Sequence, residues 1–156
     1  MKKNFLTIII SIFIFLNAYG QQQVISGLKI TKPVTWSGTI IIEGDVTVEN
    51  QGRLTVEAGT KILFRPQTDK TGSGNDKTRS ELIIKGSLVV KGQMERKVTF
   101  SSMSKEPRMG DWYGIYIGNP KQMSIIDYAI IEYAYNGIMI KKSNPVIRNS
   151  HIIPAL

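Results

Sequence analysis

The chain has 156 residues, no cysteine and one histidine, which excludes disulfide staples, a lipid attached through an N-terminal cysteine, zinc-finger spacing and any Cys–His catalytic pair. Its net charge is +8, but basic and acidic residues are interleaved, as in Lys91–Lys97. That excludes a basic stripe for nucleic acid and predicts a mixed, solvated surface. No Asn-x-Ser/Thr acceptor occurs.

The first element, residues 1–20, stands apart. Lys2 and Lys3 precede the apolar run Phe5–Leu16, and the small residues Ala18 and Gly20 follow. A positive start, a short greasy core and a small-residue exit are the marks of a secretory signal peptide. The run is shorter than the roughly 20 residues that span a bilayer. Export is expected, to the outside of the cell or to a periplasm, with cleavage near Gly20 and no transmembrane segment in the mature chain. Removing residues 1–20 leaves 136 residues and lowers the net charge from +8 to +6.

Residues 21–34 read as a lead-in or cap. From Thr35 onward, apolar residues alternate in short runs broken by Gly, Asn and Asp: Ile40 and Ile42, Val46 and Val48, Leu54 and Val56, Ile62 and Phe64. That is the pattern of short β-strands. The stretch Gly52–Phe64, GRLTVEAGTKILF, returns as Gly86–Phe100, GSLVVKGQMERKVTF. Ile40 and Ile62 are 22 apart, while Leu54 and Leu88 are 34 apart. The excess matches a polar, Gly-rich insertion at 66–80, expected to be flexible. Further on, Ile125 maps to Ile147, Asp127 to Asn149 and Ile130 to Ile152, each 22 apart.

A period of about 22 residues with three short strands is too short for a propeller blade, which takes about 40. It predicts an all-β chain: a right-handed parallel β-helix, or solenoid, over 35–156. Gly44 and Gly86 are expected at corners whose backbone angles favour glycine, and Glu43, Thr47, Thr55, Lys85 and Lys91 are expected to face solvent. One coil cannot fold alone, because ordering each residue costs about 1–2 kcal/mol and a few buried aliphatics do not offset it. Coils must stack.

These segments, with DWYGIYIG and IIEYAYNGIMIKKSNPVIRNSHI, resemble the N-terminal coils of bacterial secreted right-handed parallel β-helix repeat proteins of the pectate-lyase-like superfamily. The resemblance covers Thr35–Ile152. The group holds polysaccharide lyases and hydrolases, adhesins and others, so the likeness implies a fold and not a reaction. For the lyases it implies a face of acidic calcium ligands with an Arg or Lys base. Here Asp45, Asp69, Asp76, Asp111 and Asp127 form no column: Asp127 is followed by Asn149, and Asp111 and Glu132, 21 apart, lie in different contexts. The loop from Asp69 has Thr71, Ser73 and Gly74 at calcium-loop places but Ser80 where position twelve needs an acid. His151 reads as a corner residue. No catalytic residue, metal ligand or cofactor is therefore assigned.

The aromatic patch is the one binding signal. Alternation turns Ile115 and Ile117 inward and Tyr116 outward, with Trp112 in the same phase as Tyr116; Tyr133 and Tyr135 follow about a coil later. Outward aromatics stack on sugar rings, which makes Trp112, Tyr113, Tyr116 and Tyr135 the candidate ligand-binding residues. The competing reading packs Trp112 and some of the tyrosines against a loop or the insertion. Asn144–Pro145 marks a turn, and Asn149 above Asp127 is expected to form a polar ladder. The sequence closes on HIIPAL without a polar cap, so further coils are expected beyond it, and end-to-end self-association without them. The reading is an exported, non-catalytic scaffold, structural or binding polysaccharide or a cell-surface glycan. The alternative is the N-terminal fragment of a polysaccharide lyase or glycoside hydrolase whose active site lies in later coils.

Overall fold

The computed structural model describes residues 22–118 and 122–153. The expected signal peptide and the last three residues lie outside them. The described chain is a right-handed parallel β-helix of five coils and the start of a sixth. The coils are β1 (Gln23–Ile25), β2 (Leu28–Ile30), β3 (Pro33–Trp36); β4 (Thr39–Ile42), β5 (Val46–Val48), β6 (Arg53–Glu57); β7 (Lys61–Phe64), β8 (Glu81–Ile84), β9 (Ser87–Lys91); β10 (Val98–Ser102), β11 (Gly114–Gly118), β12 (Ile125–Asp127); and β13 (Ala129–Ile131), β14 (Ile138–Lys141), β15 (Val146–Arg148). The strand β16 (His151–Ile152) opens the sixth.

Every third strand pairs in parallel with its predecessor. Sheet A runs β1-β4-β7-β10-β13-β16, sheet B β2-β5-β8-β11-β14 and sheet C β3-β6-β9-β12-β15. Alternation within each strand sends one set of side chains inward, and the register stacks like on like. Ile40, Ile62, Phe100 and Ile131 form one buried column on sheet A. Val46, Leu82 and Ile115 form one on sheet B, and Val56, Val90 and Ile126 one on sheet C.

The repeated phrase has a stacked counterpart. Leu54 pairs with Leu88 and Val56 with Val90. Gly52 and Gly86 occupy the same corner between sheets B and C, one coil apart. A Cβ on Gly86 would collide with the carbonyl oxygens of Glu49 and Gly52, and one on Gly52 with that of Ile30. Gly44 lies at a different corner, between sheets A and B, where a Cβ would stand 2.5 Å from Ser26 O. None of the three has a positive φ. The glycines serve the close approach of the coil beneath, not the backbone angles expected from the sequence.

Four other expectations are revised. The segment 21–34, read as a lead-in or cap, includes β1, β2 and the start of β3, and these three strands form a coil of their own: Gln23 pairs with Ile40, only 17 residues on. The last coil is 21 residues, not 22: Ile126 pairs with Ile147, Asp127 with Arg148 and Ile131 with Ile152. Ile126 and Ile131 point inward, in register with the buried Val90 and Phe100 of the coil before, and Ile125 and Ile130 outward. Glu43 is buried instead of solvent-facing. The insertion between β7 and β8, expected to be flexible, is fastened to the coils by its side chains.

Candidate functional site

The outward side chains of sheet B form a second, polar-to-apolar column. Register puts Lys29, Thr47, Ile83, Tyr116 and Met139 on successive strands, all on the outer face. The insertion folds back along this column. Together they make an open groove of about 360 Å³. Its floor is Thr47, Ile83 and Tyr116; one wall is Ser73, Gly74 and Asn75 of the insertion; Lys29, Glu49 and Lys85 form the rim. A contiguous recess of about 310 Å³ runs past Lys29 and Ser73 to Asp45, Thr71 and Gly27. The Tyr116 ring lies across Gly118, where a Cβ would stand 2.8 Å from the phenol oxygen. Glycine there lets the ring lie down on the strand.

Three carboxylates hold the insertion in place. Glu43, just past β4, accepts from Ser26 Oγ at 2.7 Å and Arg65 Nε at 2.9 Å, and from Lys70 Nζ. The bonded Lys70 ammonium and Ser26 hydroxyl, with Arg65 beside them, hold its carboxyl down at about 2. Asp45, just before β5, accepts Glu81 N–H at 3.0 Å on Oδ1, and contacts Ser73 Oγ at 2.6 Å and Thr71 Oγ1 at 3.1 Å on Oδ2. Glu81, at the start of β8, accepts from the Asn75 backbone N–H and, at 2.7 Å, from its side-chain amide. Burial raises the pKa of both Asp45 and Glu81, and each also feels a neighbouring carboxylate: Asp69 for the first, Asp45 for the second. A Cβ on Gly74, whose φ is +66°, would collide with Glu81 Oε1 and stand 2.7 Å from Asp45 Oδ2. Glycine alone lets the loop pass over this pair.

The four aromatic candidates divide between two places and the core. Trp112, expected outward, is fully buried; its indole stacks on Phe64 at 4.0 Å between centroids and donates to Glu132 O at 2.9 Å. The strand residue above Phe64 is Ser102, and the indole takes the space that so small a side chain leaves. Parity failed there because Trp112 precedes the strand, in the loop after β10. Tyr113 and Tyr135 stack on each other at 5.9 Å. The Arg79 guanidinium lies 4.4 Å from the Tyr135 ring centre and 5.5 Å from that of Tyr113. Asp76 grips Arg79 through two hydrogen bonds, and that guanidinium holds its own carboxyl well below the usual range. This cluster docks the far end of the insertion. Of the four, Tyr116 alone lines the groove.

Among the described residues, no three His, Cys, Asp or Glu side chains are placed to hold a metal ion. In the loop that resembled a calcium site, Asp69 Oδ1 instead accepts the N–H and the hydroxyl of Thr71. Asp127 accepts from Arg148 Nε and Asn149 Nδ2, both at 2.9 Å, so the expected ladder joins side chains. The Asn149 amide and, after it, Arg148 hold the Asp127 carboxyl below its ordinary value. Sequence reasoning passed over Lys29, Ile83 and Lys85 as groove residues. Alternation signals the last two, but the groove exists only once the insertion is laid beside sheet B. Searches of family models, characterised proteins and solved structures return no match to this chain.

Proposed function

We propose that this chain is an exported β-helix scaffold that binds polysaccharide along the outer groove of sheet B, and that it belongs with the bacterial pectate-lyase-like β-helix proteins it resembles. The observation that carries the reading is the composition of that groove. A tyrosine ring and an isoleucine make an apolar floor, and hydroxyls, an amide and lysines surround it. A sugar ring presents the same combination: one apolar face to stack on an aromatic, and a rim of hydroxyls to hydrogen-bond. Lys29 has no carboxylate partner among the described residues, while Lys85 stands 3.7 Å from Glu49. Binding without cleavage is the favoured form of the reading, because the polar contacts of Asp45 and Glu81, the buried acids nearest the groove, are to the chain itself.

Affinity electrophoresis through gels containing acidic or neutral polysaccharides tests this. At least one polymer should retard the protein. Tyr116→Ala should weaken that retardation about tenfold, the scale of one lost stacking contact, while Met94→Ala, in an exposed turn away from the groove, should not. Retardation by no polymer, or unchanged retardation of the Tyr116 variant, would reject the proposal. Release of unsaturated or reducing ends would turn it toward the enzyme alternative.

A further inference from the structure

Two buried carboxylates stand side by side where the insertion meets the coils, and neither has a basic partner. Pairing of Val46 with Leu82 sets Asp45 beside Glu81, at 3 % and 0 % exposure. The cations nearby are engaged elsewhere: Arg65 and Lys70 on Glu43, Arg79 on Asp76, and Lys77 on Gly74 O. Lys29, from β2, borders the open side of the recess. Asp69 adds a third carboxylate from the insertion. Two unpaired buried charges are costly, and such sites take up a proton instead.

The hydrogen-bond inventory says which group takes it. Both Glu81 oxygens face N–H donors from Asn75, and N–H groups cannot accept. Asp45 Oδ2 faces hydroxyls, which can. Three oxygen–oxygen contacts run in series: Asp45 Oδ2 to Ser73 Oγ at 2.6 Å, Ser73 Oγ to Thr71 Oγ1 at 2.8 Å, and Thr71 Oγ1 to Asp69 Oδ1 at 2.7 Å. Each needs a proton, and the two hydroxyls supply only two. A proton on either end would complete the series. Asp45 is the more buried end, and Asp69 Oδ1 already accepts the Thr71 N–H, which cannot accept in return, so the proton sits on Asp45 and each group donates once toward Asp69.

We propose that Asp45 is a neutral acid whose proton, donated to Ser73, latches the insertion onto the coils, and that its loss loosens the groove wall. Burial raises the Asp45 pKa, which agrees with this. A raised folded-state pKa means stability that is present at acid pH and falls as pH rises through that value. The wall of Ser73, Gly74 and Asn75 is therefore firm in acid and loose in base. The consequence for ligand rests on the reading of the groove as a binding site; the latch itself is tested without ligand.

Hydrogen exchange of the segment 71–77 in the full chain, corrected for the intrinsic pH dependence of exchange, measures the latch. Protection should be about tenfold higher at about pH 5 than at about pH 8. Asp45→Asn offers a donor where the proton sits and keeps the acceptor for Glu81 N–H, so it should fold and stay protected at both pH values. Glu81→Gln leaves an Asn75 N–H without an acceptor and should lose protection at both. Equal protection of the unmodified protein at the two pH values would overturn the proposal. So would an Asp45→Asn protein that is unfolded, unprotected or still pH-dependent. Calcium restoring protection of the unmodified protein at the higher pH would also overturn it, by putting a cation where the proton is assigned.

Discussion

At the scale of single residues, direction matters more than chemical type. Val56 and Thr55 are neighbours on β6, yet Val56 is fully buried and Thr55 lies on the outer face. Val56→Asp places a carboxylate among Leu88, Val90 and Trp36 levels of the core with no partner, a loss on the order of 4 kcal/mol or more. Thr55 is half-buried on the outer face, where an aspartate keeps its charge in reach of water, so Thr55→Asp should cost far less, on the order of 1 kcal/mol. Urea melts should separate the two variants by a large shift in midpoint; equal midpoints would mean that the register of β6 is wrong. Trp112 shows the limit of the same rule. Alternation predicts direction only within a strand, and Trp112 lies two residues before β11, where the chain is still turning.

The element that decides the surface is the insertion between β7 and β8. Its composition, rich in Gly, Ser, Thr and Asp, reads as a loose loop, and nothing local says otherwise. It is held by acids distant in sequence: Glu43 by 27 residues from Lys70, Asp45 by 28 from Ser73. Glu43 gives a pH signature of its own. Its folded-state carboxyl is held at about 2 against an ordinary 4.5, so its contribution is present above the ordinary value and lost as pH falls toward 2. The stability advantage of the unmodified protein over Glu43→Gln should therefore shrink as pH is lowered from about 5 to about 2. Thermal melts across that range measure it, and an advantage that is constant or grows in acid would show that the Lys70 and Arg65 contacts do not form. The Asp45 latch has the opposite sign, its contribution falling as pH rises.

For the whole molecule, the coils form a one-dimensional stack in which each strand's hydrogen bonds are completed by the coils on either side. A terminal coil is thus not expendable: β1, β2 and β3 pair along sheets A, B and C with the second coil. The first strand begins at Gln23, so cleavage near Gly20 would leave this coil whole. In a secreting host, the exported protein should begin near Gln21 and keep the melting temperature of protein made without residues 1–20. N-terminal sequencing checks it, and intact Met1 in a membrane fraction would reject the export reading. Among the described residues, no helix is long and apolar enough to cross a membrane.

What the amino-acid order determined by itself was the periodic part. Alternation at Ile40–Ile42, Leu54–Val56 and Ile62–Phe64 is a local property, and its return with glycines in step means stacked coils, because a column of like residues is buried only when coils lie in register. The 34-residue gap between Leu54 and Leu88 likewise marked an insertion. Tertiary structure alone decided the rest. The last coil's 21-residue register depends on turn geometry, and Ile126 rather than Ile125 is buried because the pairing of β12 with β9 sets it in register with Val90. The groove, the Asp45–Glu81 pair and the Arg79 cluster each join residues from different coils to a loop without periodicity. Such contacts follow from where the coils place their corners, and short-range pattern carries no information about them.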